Sequence, residues 1–435
     1  MKELTLGQIE KFHEDYKEEK GAPVLNSAMA KTALADLAFV PMNAAKLNGD
    51  FEIELKTRGI TAQQKSGRCW MFAALNIMRE IVAEKCNLKN FELSQNYITF
   101  YDKLEKANNF FESVIANPDE DLSSQKMQYI YQAVQDGGFW GMAVDLIEKY
   151  GIVPKSANPE SYQSEHTADF LKQINVLVKK DAVELRELVK AGVDPQPRKQ
   201  EMLYEVYRAQ CIAFGEPVRE FNFEYRDKDD NYHAYKNLTP KKFYEEFVGM
   251  SLKDYVAVIN EPTSNKKMNT PVVFHSSANM ADKDLFALNI SMDDLEELCV
   301  KQLRDGEPIW FACDVLSSSA RKEGILDTDS FRFGELLGGV DLSMSKKDRL
   351  ESRVSMANHA MLLTGVNFDE NGVPERWRVE NSWGKEVGRD GYFVASEKYF
   401  REFVYEAVIN KKHMTDEQLS WLLREPVVLN GWEEE

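Results

Sequence analysis

A change of period along the chain constrains its fold more than any other feature. Up to about residue 250 the apolar residues recur at the three- and four-residue spacing of helices, and beyond it they gather in short runs rich in β-branched and aromatic side chains. The clearest helical stretch starts at Cys69. Met71, Ala74, Leu75, Met78, Ile81 and Val82 share one face, Asn76, Arg79, Glu80 and Glu84 fall opposite, and an end is expected near Asn87. Residues 69–150 read as largely helical and 165–250 as a charged helical block. The strand-like runs are 255–259, 309–315, 360–367, 376–380, 391–395 and 403–409. Helices first and strands afterwards predict an α+β fold.

At 435 residues the chain is too long for one simple core, and with 43% apolar residues it has an ordinary globular composition. No run approaches the ~18 uninterrupted apolar residues of a membrane span. The N-terminal residues show no apolar leader, so a cytoplasmic location is expected. Cys69, Cys86, Cys211, Cys299 and Cys313 are scattered and never form a CxxC pair, which predicts reduced thiols without a disulfide framework or a zinc site. No metal or cofactor is expected. A net charge of −18 argues against nucleic acid as a partner, since phosphate binding requires clustered cations.

A thiol in the first turn of a helix meets unpaired N–H groups and the positive end of the macrodipole, both of which favour the thiolate. Gly67 lets the chain turn sharply just before that helix. The competing reading of Cys69 is a small buried hydrophobe, the usual state of a free cysteine. A thiolate nucleophile needs a base, so the six histidines are the next residues to weigh. His13, His166, His233 and His413 stand among charged residues and read as solvated, and His275 follows an apolar run as a core or edge residue. His359 directly precedes the strand-like run 360–366, whose rigid end can aim it. Asn371-Gly372 marks a turn, and the returning strand ends at Asn381. Strict pairing about that turn sets His359 opposite Gly384, on the wrong face to meet Asn381. A bulge or irregular loop near Pro374 is therefore required.

The segment 63–72 (Gln-Gln-Lys-Ser-Gly-Arg-Cys-Trp-Met-Phe), the His359-Ala360 step and Glu380-Asn381-Ser382-Trp383-Gly384 together resemble the three active-site segments of papain-like cysteine peptidases. Within that group the chain is most similar to the aminopeptidase C and bleomycin hydrolase family. The likeness extends through 91–95, Asp136-Gly137-Gly138, 150–155, 308–315 and 402–406. It implies a papain-like two-lobe fold, a helical lobe plus an antiparallel β-barrel-like lobe, with a large helical insertion. The corresponding parts are an approach segment 1–60, a helical lobe 61–160, an insertion 161–265, a β-rich lobe 266–425 and a C-terminal tail 426–435. His359 follows Cys69 by 290 residues (359 − 69), against about 130–150 in the short papain enzymes, and the insertion accounts for the excess.

The resemblance also implies roles. Cys69 attacks the scissile carbonyl, His359 exchanges the proton, and Asn381 orients the imidazole. Gln63, chosen over Gln64 because it stands six residues before Cys69, donates to the oxyanion. Trp383 shields the His–Asn contact and is grouped with the substrate-binding residues. In this family the terminal carboxylate, here on Glu435, meets the substrate's ammonium group, and six subunits enclose the active sites in a central channel. Short peptides are the expected substrates and an aminopeptidase the expected enzyme. The acidic ending Glu433-Glu434-Glu435 looks shorter than the family tail, which leaves two alternatives: an oligoendopeptidase, or a peptide-binding barrel without activity.

Overall fold

The structure is a computed structural model that describes residues 1–434, with side chains to Glu433. The expected substrate-facing Glu435 lies outside the described residues. The first half contains helices α1 (Cys69–Lys85), α2 (Gln95–Ala116), α3 (Gln125–Ile130), α4 (Trp140–Tyr150), α5 (Thr167–Lys190) and α6 (Gln196–Phe214). Ser94 starts α2 by accepting the Tyr97 N–H on its side chain. One side of α2 packs with α5 and α6 around Ala107, Phe111, Val178, Leu185 and Val206. Its other side shares a core with α1 and α4, in which Trp70, Leu75, Met78, Ile98, Trp140 and Leu146 are buried.

The block expected to be helical to residue 250 instead turns into an antiparallel hairpin, Phe221–Arg226 with Tyr232–Leu238. Phe221 and Phe223 are buried while Asn222 and Glu224 are exposed, a period-2 pattern masked in the sequence by the surrounding charge. The Asp227 carboxylate closes the turn by accepting the N–H groups of Asp229 and Asn231 at 2.9 Å each.

The remainder is organised on one twelve-stranded sheet. Its main strands are β1 (Tyr255–Ile259), β2 (Thr270–His275), β3 (Leu285–Asn289), β4 (Ile309–Cys313), β5 (His359–Phe368), β6 (Pro374–Glu380), β7 (Tyr392–Ser396), β8 (Val404–Asn410) and β9 (Val427–Asn430). They lie in the order β9-β2-β3-β1-β8-β4-β5-β6-β7. The sequence pattern misses β2, β3 and β9, which are short and cluster at one edge. Central strands are apolar on both faces because they serve two cores. Ile309, Phe311, Met361 and Leu363 face helix α7 (Met292–Arg304), whereas Trp310, Ala312, Ala360 and Leu362 face α1.

Helix α1 therefore lies between the helical layer and the sheet, and its polar face is divided: Glu84 is exposed, but Asn76 and Arg79 are buried. Asn76 and Arg79 are 3% and 1% exposed. Arg79 Nη2 sits 2.9 Å from Glu380 Oε1, and Asn76 Nδ2 donates to the same oxygen at 3.2 Å. This buried ion pair ties the helix that starts at Cys69 to the strand that ends beside Asn381. Breaking such a pair on one side costs about 3–5 kcal/mol.

Candidate active site

The turn before Cys69 is fixed from three directions. Gln63 N–H donates to the Ser382 carbonyl at 2.8 Å, Ser382 Oγ donates to Gln63 Oε1 at 2.8 Å, and Gln63 Nε2 donates to the Ser66 carbonyl at 2.5 Å. The Gly67 N–H donates to Asp136 Oδ2 at 2.8 Å, and a Cβ at Gly67 would stand 2.8 Å from that of Asp136, so only glycine fits. Behind the turn, fully buried Arg68 reaches Glu160 at 3.0 Å and donates from Nε to Ser66 Oγ at 2.9 Å. The two neighbouring glutamines part here. Gln63 is 6% exposed and lines a cavity, whereas Gln64 has φ 53° and is exposed.

Asp136 is the hub of this arrangement. Its carboxylate also accepts from Thr167 Oγ1 at 2.5 Å and pairs with Lys103 at 2.9 Å, while its carbonyl accepts from Trp70 Nε1 at 2.8 Å. Burial opposes its charge, but Lys103, Thr167 and the Gly67 N–H outweigh it and hold the group well below the usual carboxylate range.

Cys69 is the first residue of α1, and no side chain caps that helix. Its Sγ accepts the Ala360 N–H at 3.5 Å, which sets the sulfur beside the residue that follows His359. Burial pushes the thiol up, against the lowering effect of the Ala360, Trp70 and Cys69 N–H groups, and the Asp136 charge adds to the rise. The helix terminus thus works as expected, but desolvation exceeds it.

His359 and Asn381 meet through a register shift. At its far end the β5–β6 ladder pairs Val366 with Trp377, and after a bulge at Thr364 it pairs Leu363 with Val379 and Leu362 with Glu380. Continuing that frame sets His359 against Trp383, two positions from Asn381 and on the same face. The irregularity expected near Pro374 exists as well, but the bulge at Thr364 is the one that aligns the pair. Asn381 Oδ1 accepts the Ser382 N–H at 2.7 Å, which identifies that atom as the amide oxygen. It lies 2.9 Å from His359 Nε2, so Nε2 carries the proton and Nδ1 is the free acceptor. Burial drives the imidazole down to about 4, opposed by Asn381 and assisted by the Arg321 charge.

Trp383 packs its ring 4.6 Å from that of His359, and the Arg321 guanidinium lies 4.7 Å over Trp383. Trp383 covers the imidazole; it is not among the described residues that line the cavity. The cavity, about 920 Å³, is lined by Gln63, Cys69 and His359 on one side and by Gly431 and Glu433 on another. The C-terminal segment is held there by parallel pairing of β9 with β2 and by Gln125 Nε2 donating to the Trp432 carbonyl at 2.6 Å. Of the other histidines, His233 pairs with Asp227 at 3.0 Å and His275 with Asp284 at 2.8 Å. One group, exposed Asp305 with half-buried Glu307 and His413, has ligand-like spacing, but the Lys412 ammonium pairs with both carboxylates.

The sequence pattern of the Peptidase C1-like family matches residues 3–434. This chain belongs to the peptidase C1-like family. It is 42% identical over 433 residues to aminopeptidase C of Listeria innocua, covering 99% of this chain and 98% of the relative. It is 37% identical over 436 residues to aminopeptidase W of Lactobacillus delbrueckii, with 99% of each chain covered. The solved structure of PepW from Lactobacillus rhamnosis superposes with a TM-score of 0.96 at 40% identity, covering 99% of this chain and 98% of that one. The protein is thus a papain-like cysteine peptidase of the aminopeptidase C type with an α+β fold.

Sequence reasoning brings Gln63, Cys69, His359 and Asn381 forward, and the fold assembles all four. It assigns nothing to Asp136, Ser382 or the Arg79–Glu380 pair. Asp136, Glu380 and Ser382 all belong to the quoted motif stretches, but only the third dimension reveals what they hold.

Proposed function

We propose that this peptidase removes N-terminal residues from short peptides, with Cys69 as nucleophile, His359 as acid–base, Asn381 as orienting group and Gln63 as oxyanion donor. The observation that carries the reading is one cavity holding Cys69 and His359 against a wall formed by the C-terminal segment, with the Glu433 carboxylate in it. A wall of that kind leaves little room upstream of the cut and offers negative charge to a free amine. The relatives carry aminopeptidase names, and neither the oligoendopeptidase nor the non-catalytic alternative gains support from them.

In this mechanism the Cys69 proton passes to His359 Nδ1. Burial disfavours either charge alone, but the transfer creates both together, so their mutual attraction offsets the desolvation. The thiolate attacks the carbonyl, and the oxyanion takes the second N–H of Gln63 Nε2 and the Cys69 N–H. His359 then protonates the departing amine, and it later takes a proton from the water that opens the thioester. This step releases the acid and restores the thiol.

Cys69→Ala is expected to abolish hydrolysis without unfolding the chain. A free-amine peptide and its N-acetylated twin test the mode: the free peptide is shortened from its N-terminus and the blocked one is spared. Equal internal cleavage of both would refute the aminopeptidase reading.

We also propose a cytoplasmic homohexamer. Large apolar side chains exposed on α5 and α6, among them Val176, Val183, Tyr204 and Ile212, support a subunit interface. Light scattering of the purified protein measures the subunit number. Among the described residues no helix is long and apolar enough to cross a membrane.

A further inference from the structure

A row of residues crosses the sheet at right angles to its strands. Ile259 on β1 pairs with Glu406 on β8, Glu406 with Ala312 on β4, and Ala312 with Ala360 on β5. All four line the cavity. Ala360 is the residue whose N–H faces Cys69 Sγ, and two strand spacings put the Glu406 backbone about 10 Å from it. In this otherwise apolar row Glu406 is the only residue with a charge to offer.

Its state is unusual. Glu406 is 7% exposed, and among the described residues no hydrogen bond or ion pair reaches its carboxyl. The neighbouring charge is Glu261, which has the same sign and is itself paired with Lys266 at 2.8 Å. Burial, with the Glu261 charge added, pushes Glu406 up to about 8. Buried carboxyl groups in folded proteins are normally paired or hydrogen-bonded, because an unpaired one carries its full desolvation penalty. Here the side chain opens onto a substrate cavity, so the missing partner can arrive with the substrate.

We infer that Glu406 is a substrate-binding residue that receives a cationic group of the peptide, an ammonium or guanidinium, across the sheet from the reacting sulfur. The inference rests on the aminopeptidase reading. The cation has two sources: the peptide's own α-ammonium, or a lysine or arginine side chain on the residue being released. The Glu406 side chain covers part of the 10 Å, and a long basic side chain or one extended residue of ~3.5 Å covers most of the rest.

The test compares wild-type protein with Glu406→Gln, which keeps the shape and removes the charge, on alanyl, lysyl and norleucyl aminoacyl-amide reporters. A drop of about tenfold in kcat/KM on the lysyl reporter, with the other two within about twofold, supports the inference and identifies a side-chain cation. A drop of about tenfold on all three supports it and identifies the α-ammonium. Glu406→Asp, with its charge one methylene back, should recover part of either loss, and a thermal midpoint no lower than wild type shows that Glu406→Gln is folded. Unchanged kcat/KM on all three reporters overturns the inference while leaving the aminopeptidase reading intact. Failure of the wild-type protein to cleave any of them overturns both.

Discussion

A half-buried carboxyl group, Asp136, and a buried one, Glu406, are held near Cys69 in opposite states. Asp136 is saturated by Lys103, Thr167 and the Gly67 N–H and stays ionised, whereas Glu406 has no partner among the described residues and is held neutral up to about pH 8. Both are removed from bulk water, so burial alone does not set the charge. The groups that each backbone position brings to the carboxyl decide it. A saturated carboxylate fixes the turn that carries Cys69, and a bare one is left for a ligand.

The sharpest way to break this comparison is Asp136→Asn. It leaves Lys103 without its full counter-charge and loosens the Gly67 turn, so stability should fall by about 3–5 kcal/mol in urea unfolding. The kcat/KM of the folded fraction should fall about 100-fold, as expected when a reacting group is misplaced. An unchanged kcat/KM would show that the turn holds its shape without Asp136. Asn381→Ala should follow, with a loss of about tenfold to 100-fold carried mainly by kcat, because it removes an orienting contact and no bond-making group.

Titrating stability separates the groups by sign. His359 is depressed from 6.5 to about 4, so its contribution is complete above pH 6.5 and is lost as pH falls toward 4. His359→Gln should flatten that limb of the Tm-against-pH curve. Glu406 is raised from 4.5 to about 8, so its contribution is complete below pH 4.5 and is lost as pH rises through 8. Glu406→Gln should therefore melt higher than wild type at pH 8 and no higher at pH 4, the smallest of these effects. A melting difference independent of pH would count against an unpaired carboxyl at this position.

Much of the architecture is legible in local pattern. The helix at Cys69 ends at Lys85, two residues before the expected Asn87, and β1 occupies the expected 255–259. The hairpin at Phe221–Arg226 escapes because its alternation is short and set among charges, and β9 escapes because an edge strand pairing with β2 carries little signal of its own. The site divides in the same way. Cys69, His359 and Asn381 are singled out by residue type and by their places at the ends of a helix and a hairpin, and Gln63 by the family resemblance. The bulge at Thr364 that puts His359 and Asn381 on one face is not, since a shift of one residue leaves no compositional trace.

Reactive groups and element types follow from residue identity and from the period of nearby apolar residues, both of which are properties of short stretches of chain. Charge state and alignment belong to neighbours that folding brings from far away. Arg79 with Glu380, Gly67 with Asp136 and the lone carboxyl of Glu406 are separated from their surroundings by tens to hundreds of residues. The free energy of a buried charge depends on those surroundings, so it has no value until the chain is folded.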